Sequence, residues 1–119
     1  MLQKSFVYNP QRVQLLRILV SVGEGLTMEF KRKTTYPVKI AREMIAFANT
    51  KEGILLRGIG DDDTIPGLKY PEDEIHVMND ALKKVKPELH YIKTVIPIGN
   101  ARAVIHYKIP ESKKSHITS

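Results

Sequence analysis

The chain of 119 residues has the size of one domain, and its 42% hydrophobic and 27% charged residues are the balance of a folded globular protein rather than a disordered one. It contains no cysteine, which removes disulfides, thiolate zinc sites and thiol nucleophiles together. Nineteen Lys and Arg against thirteen Asp and Glu give a formal charge of +6, a balance that favours anionic partners such as nucleic acid.

Asn9-Pro10 predicts a helix start, with Asn as cap and Pro in the first turn. Val13, Leu16, Leu19 and Val20 then recur at helical spacing until Gly23 stops the run. The apolar stretch that begins at Leu15 is broken at once by Arg17, far short of the roughly 20 residues that a membrane span needs. No signal-peptide core follows Met1, so the expectation is a soluble cytoplasmic protein with no membrane partner. From Leu26 the period changes to two: Leu26, Met28 and Phe30 alternate with Thr27, Glu29 and Lys31, the pattern of a half-buried strand.

Pro37 opens a second helix with Val38, Ala41, Met44, Ile45 and Ala48 as its apolar stripe, closed by Asn49 to Gly53. Ile54 to Ile59 reads as a buried strand, and the Asp- and Gly-rich segment from Gly58 to Gly67 as a loop. A third helix after Pro71 carries Ile75, Met78, Leu82 and Val85 on one face and is expected to run to Pro87. Lys83, Lys84 and Lys86 crowd its end, where cations suit the helix dipole. Tyr91–Ile98 and Arg102–Ile109 are strands of a hairpin turning at Gly99-Asn100, and Pro97 has the first run along an edge or end early. The polar tail, residues 110–119, is expected to be loosely held.

The order α-β-α-β-α-β-β predicts an α+β fold: one domain over residues 1–119, with a single small mixed sheet of about four strands and three helices on one or both faces. The central β-α-β stretch supplies a parallel pair and the hairpin an antiparallel one.

Two constellations bear chemistry. The first is acidic: Glu24, Glu29 and the run Asp61-Asp62-Asp63. If the strand bearing Glu29 and the strand before Asp61 are parallel neighbours, these carboxylates assemble from distant segments. Two carboxylates 4 Å apart repel by about 4 kcal/mol at an effective dielectric of 20, so such a cluster needs a cation or a shared proton. Mg²⁺ suits it, and a bound ion polarises a phosphodiester and activates water. The simpler reading leaves Glu29 on a wet strand face and the Asp run in a solvated turn.

The second constellation is basic. Lys31, Arg32 and Lys33 follow Glu29, while Arg102, Val104, His106 and Lys108 share one face of the last strand. Such a face tracks phosphates without reading bases, or is an ordinary solvated surface. Tyr36, Tyr70 and Tyr91 offer rings for base stacking, or serve as half-buried anchors. No G-x-x-x-x-G-K-[ST] occurs, so the chain is not a P-loop ATPase. His76, His90, His106 and His116 match no zinc spacing, and no Gly-x-Ser-x-Gly elbow presents a serine nucleophile.

The motifs also occur in a telling order: Glu24-x-x-x-x-Glu29-Phe30-Lys31, then Ile45-Ala46-Phe47-Ala48-Asn49-Thr50, then Gly58-Ile59-Gly60-Asp61-Asp62-Asp63 and Ile65-Pro66-Gly67, closing with Ile109-Pro110-Glu111-Ser112. Over Leu16 to Ile117 this resembles the Schlafen AlbA-type domain family. The resemblance implies an Alba-like fold and a DNA- or RNA-binding role, in bacteria and archaea as the N-terminal part of larger transcriptional regulators. In animal Schlafen proteins a three-carboxylate site cleaves RNA with a divalent metal. Carried across, those carboxylates fall on Glu24, Glu29 and Asp61, with Asp62 as the fallback. One departure is Glu52-Gly53 where the family has a Gly-Gly pair.

The expected function is therefore a nucleic-acid-binding module, acting as a homodimer, that holds the phosphate backbone with Lys31, Arg32, Lys33, Arg102 and Lys108. The alternative is an endoribonuclease using Mg or Mn held by Glu24, Glu29 and Asp61, with Lys31 stabilising phosphate charge. DNA and RNA stay equally open at this level.

Overall fold

The structure is a computed structural model that describes residues 8–23, 28–31, 36–60 and 64–118, giving for 28–31 the backbone course. Along the chain run α1 (Pro10–Val22), β1 (Met28–Lys31), α2 (Pro37–Thr50), β2 (Gly53–Arg57), α3 (Pro71–Leu82), β3 (Val85–Lys86), β4 (Ile92–Gly99), β5 (Arg102–Ile109) and β6 (Ile117–Thr118). Punctuation residues set the helix starts. The Asn9 side chain accepts hydrogen bonds from the backbone N–H groups of Gln11 and Arg12 at 3.0 and 3.2 Å, and all three helices open on Pro in the first turn.

Four strands form one mixed sheet in the order β1-β2-β5-β4. The β1–β2 pair is parallel, with Met28 opposite Ile54 and Lys31 opposite Arg57, and the other pairings are antiparallel. Alternation along the strands feeds two cores. On one face Val13, Leu16 and Val20 of α1 pack with Leu56, Ile96 and Val104. On the other, α2 and α3 cover Leu55, Ile105, Tyr107 and Ile109. The mixed α+β fold, its four-stranded sheet and its three helices are as the sequence predicts.

The β4–β5 hairpin turns through Asn100 and Ala101, both at positive φ (56° and 60°), the backbone twist that suits a two-residue hairpin turn. Pro97 lies on β4, an edge strand, as expected. Gly53 sits where α2 meets β2: a Cβ there would come within 2.2 Å of the Phe47 ring. The glycine kept in the Glu52-Gly53 pair is thus the one the packing requires.

Two expectations differ from what the fold shows. The third helix ends at Leu82, and Val85–Lys86 forms β3. Lys86 precedes Pro87, and a residue before proline is pushed out of the helical region, so the helix has no route to residue 87. The tail is also held, through polar bonds that hydropathy does not register. β6 pairs with β3, Lys86 lying opposite Ile117. His116 is buried, with its backbone N–H donating to Asn49 Oδ1 at 2.9 Å and its carbonyl accepting from Asn49 Nδ2 at 3.2 Å. Its ring completes the clasp: Nδ1 lies 2.7 Å from the Pro87 carbonyl and so carries the proton, and Nε2 meets Ser112 Oγ at 2.7 Å. The Ser112 N–H donates to the Ala48 carbonyl at 2.7 Å. Ala48-Asn49 and Ser112 belong to two separate motifs, and they meet here.

Candidate functional site

A parallel strand pair directs the following loops and helix starts to one end, the end at which open α/β sheets place ligands. In this chain that end holds Lys31 and Arg57, the last residues of β1 and β2. The N-termini of α2 and α3 come together there around a hollow of about 480 Å³ lined by Pro37, Leu68, Lys69, Tyr70, Asp73 and Glu74.

Arg57 is fully buried, which a guanidinium tolerates only with a charged partner. Its Nε donates to Glu74 Oε2 at 2.9 Å, and its Nη2 lies 2.7 Å from the same oxygen. Burial lowers the Arg57 pKa, while the charges of Glu74 and Glu43 act to raise it. The pair ties the end of β2 to the first turn of α3. The signal for it was present in the sequence: one arginine inside the apolar run Ile54–Ile59, with Glu72, Asp73 and Glu74 following Pro71.

The loop leaving β2 is pinched at its base. Gly67 N–H donates to the Gly58 carbonyl at 2.9 Å, and Gly60 N–H to the Thr64 carbonyl at 2.9 Å. Gly58 has φ 105°, and a Cβ there would sit 3.2 Å from Gly67 Cα. Leu68 then bridges to Ala103, docking the loop on β5 beside Arg102.

The residues singled out by sequence fall as follows. Glu24, Arg32, Lys33, Asp61 and Asp62 lie outside the described residues. Glu29 and Lys31 are on β1, opposite Leu55 and Arg57. The strands that flank the acidic segments are therefore parallel neighbours, which sets Glu29 beside the strand that leads to Asp61 but has the chain enter β1 and leave β2 at opposite ends of the pair. The chain enters β1 at Met28 and leaves β2 at Arg57, about 10 Å apart along the pair at a rise of about 3.3 Å per residue. Among the described residues no group of three His, Cys, Asp or Glu is placed to hold a metal ion.

The continuous basic face expected on β5 is not there. Arg102 and Lys108 are exposed, but Val104 is buried under α1 and His106 is half-buried. Alternation put these four residues on one face correctly; it did not show that α1 needs that face to bury its own stripe. Arg102 belongs to the loop end, whereas Lys108 lines a hollow at the opposite end with Lys51 and Glu52. The two are six positions apart along the strand, about 20 Å. Burial, reinforced by Lys108, holds the His106 imidazole below the usual histidine range.

The tyrosines divide. Tyr91 is a half-buried anchor, its ring edge-on to Tyr107 at 5.7 Å, and burial followed by the charge of Glu88 raises its pKa. Tyr36 and Tyr70 are exposed at the N-caps of α2 and α3, and Lys69 Nζ lies 5.5 Å above the Tyr70 ring.

These features define a mixed α+β domain in which a parallel pair, a pinched loop and a closing hairpin converge at one end of the sheet. The family model described as Schlafen, AlbA_2 matches residues 24–119, and the chain belongs to that family, which is generally nucleic-acid related. Among solved structures, the DIP2311 protein from Corynebacterium diphtheriae is similar, with a TM-score of 0.54 at 16% identity over 92% of this chain. That likeness is one of fold, and the chain spans 24% of that protein's length. No curated protein matches the chain. Among the described residues no helix is long and apolar enough to cross a membrane.

Proposed function

We propose that this domain binds nucleic acid through the phosphate backbone. The observation that carries the reading is where the fold leaves its positive charge. Of the Lys and Arg whose side chains are described, all are exposed except half-buried Lys93 and Arg57, which is paired. With a net charge of +6, these solvent-facing cations attract a polyanion over a Debye length of about 10 Å. Lys31, the last residue of β1, and Arg102 belong to the loop end, where Tyr36 and Tyr70 present exposed rings to bases, and Lys108 acts with Lys51 at the other end; Arg32 and Lys33, which lie outside the described residues, follow Lys31 in sequence and are the further cations of this reading.

Fluorescence anisotropy of a labelled oligonucleotide over a salt series tests the reading. Affinity falls steeply as salt rises, because each phosphate contact releases counterions. Affinity that stays level across the series overturns it. Two copies act together in this reading, joined through Leu15, Ile18 and Val22, which stand exposed at helical spacing on the outer side of α1. Sedimentation detects the pair, and Leu15→Glu dissolves it.

A second reading is favoured by the adjacency of β1, which bears Glu29, and β2, which leads on to Asp61: a divalent-metal-dependent endoribonuclease with Glu24, Glu29 and Asp61 as ligands. It predicts Mg²⁺- or Mn²⁺-dependent RNA cleavage that Glu29→Ala abolishes; cleavage at the wild-type rate by that variant removes it.

A further inference from the structure

We infer that the corner built by β3, β6 and the end of α3 is a docking surface for the phosphodiester backbone of a nucleic-acid strand. The inference rests on the nucleic-acid reading above and locates a second contact surface, away from the loop end of the sheet.

The corner assembles lysines from separate stretches of sequence. After α3 the chain reads Lys83-Lys84-Val85-Lys86; Val85 is buried and all three lysines are exposed. Lys83, Lys86 and half-buried Lys93 of β4 line a groove of about 670 Å³ with Tyr91 and with two acids, Asp80 and Glu88. The tail adds exposed Lys113 and Lys114. They stand between Ser112, whose N–H donates to the Ala48 carbonyl near the end of α2, and His116, whose ring bonds the Pro87 carbonyl, so the segment that carries them is tied to the turn after Lys86. Paired strands lie about 4.8 Å apart, so the tail runs beside the lysine turn.

The bland explanation is that cations near a helix C-terminus satisfy its dipole. That effect falls off within the last turn and is served by Lys83 and Lys84 alone. It leaves Lys86, Lys93, Lys113 and Lys114 without a reason. The acids nearby are fewer: Asp80, Glu88 and Glu111 against six lysines. A surface whose excess charge comes from exposed lysines, with no planar guanidinium fork, suits a run of phosphates better than base edges, so the contact is positional and indifferent to sequence.

The test compares three full-length proteins on the same labelled oligonucleotides, as DNA and as RNA. They are the wild type, Lys83→Gln/Lys84→Gln/Lys86→Gln, and Arg12→Gln/Arg17→Gln, whose changes lie on α1 across the sheet. All substituted side chains are exposed, so the fold is kept, and circular dichroism verifies it. The lysine variant is expected to bind at least about tenfold more weakly, with its log affinity against log salt shallower by about 2 to 3. The α1 variant is expected to change little. A lysine variant that keeps the wild-type slope, or an α1 variant that loses as much, overturns the inference while leaving nucleic-acid binding intact. A wild type whose affinity ignores salt overturns both.

Discussion

Removing Glu74 is the severest single test of the packing argument. In Glu74→Ala the fully buried Arg57 guanidinium loses the carboxylate oxygen that meets it at 2.9 and 2.7 Å. The Glu74 side chain is itself only 11% exposed, so water does not simply take the oxygen's place. Breaking a buried pair by deleting one partner costs about 3 to 5 kcal/mol, and the remaining attraction of Glu43 puts the expected loss near the lower figure, about 3 kcal/mol. Against a total stability of about 5 to 15 kcal/mol, that is a large share. Urea unfolding followed by circular dichroism reads it as a lower midpoint at unchanged slope. The double variant Arg57→Met/Glu74→Leu removes both charges and recovers most of the loss, since well-packed apolar replacements of buried pairs are often neutral. A loss in Glu74→Ala below about 1 kcal/mol would mean that Arg57 is not held by this carboxylate, and the strut between β2 and α3 would be refuted.

Other substitutions test neighbouring parts of the account. The Tyr107 hydroxyl is buried without a hydrogen-bond partner among the described residues, so Tyr107→Phe is expected to change stability by less than about 1 kcal/mol at neutral pH. Burial, then Tyr91 and Glu74, raise its folded pKa above the unfolded value of 10.0, so the stabilisation is complete below about pH 10 and is lost as pH rises further. The phenylalanine variant therefore shows a shallower alkaline decline in urea midpoints. His106 has the opposite sign. Its folded pKa lies below 6.5, so its contribution is full above that pH and is lost as pH falls through the folded value. His106→Gln flattens the acid limb, and an unchanged limb would count against the burial assigned to it. Gly53→Ala drives a methyl into the Phe47 ring and is expected to cost about 1 to 3 kcal/mol in the same unfolding assay; a neutral result would contradict the close approach.

Much of the fold was legible because local chemistry and tertiary structure agree. Asn9-Pro10, Pro37 and Pro71 mark helix starts that the structure keeps, and Gly99-Asn100 marks the hairpin turn. What escaped notice has a common cause. β3 and β6 are two residues each, too short to carry a period, and they exist because the tail's His116 finds Asn49, Pro87 and Ser112. The lysines after α3 read as a dipole complement until that clasp ties the tail to the turn they occupy. On β5 the alternation was right and its meaning was wrong, since a period of two cannot tell water from a covering helix. The Glu52-Gly53 departure from the family's glycine pair proves harmless to packing, because it is Gly53 that faces Phe47.

Amide chemical-shift mapping of the labelled protein against an oligonucleotide addresses the central claim most directly, since it shows whether and where a nucleic acid sits. The account predicts shifts at Lys83, Lys84, Lys86, Lys113 and Lys114 and around Arg102, fading as salt is added. Spectra that do not move at saturating oligonucleotide, or that move along Leu15, Ile18 and Val22 alone, would contradict it.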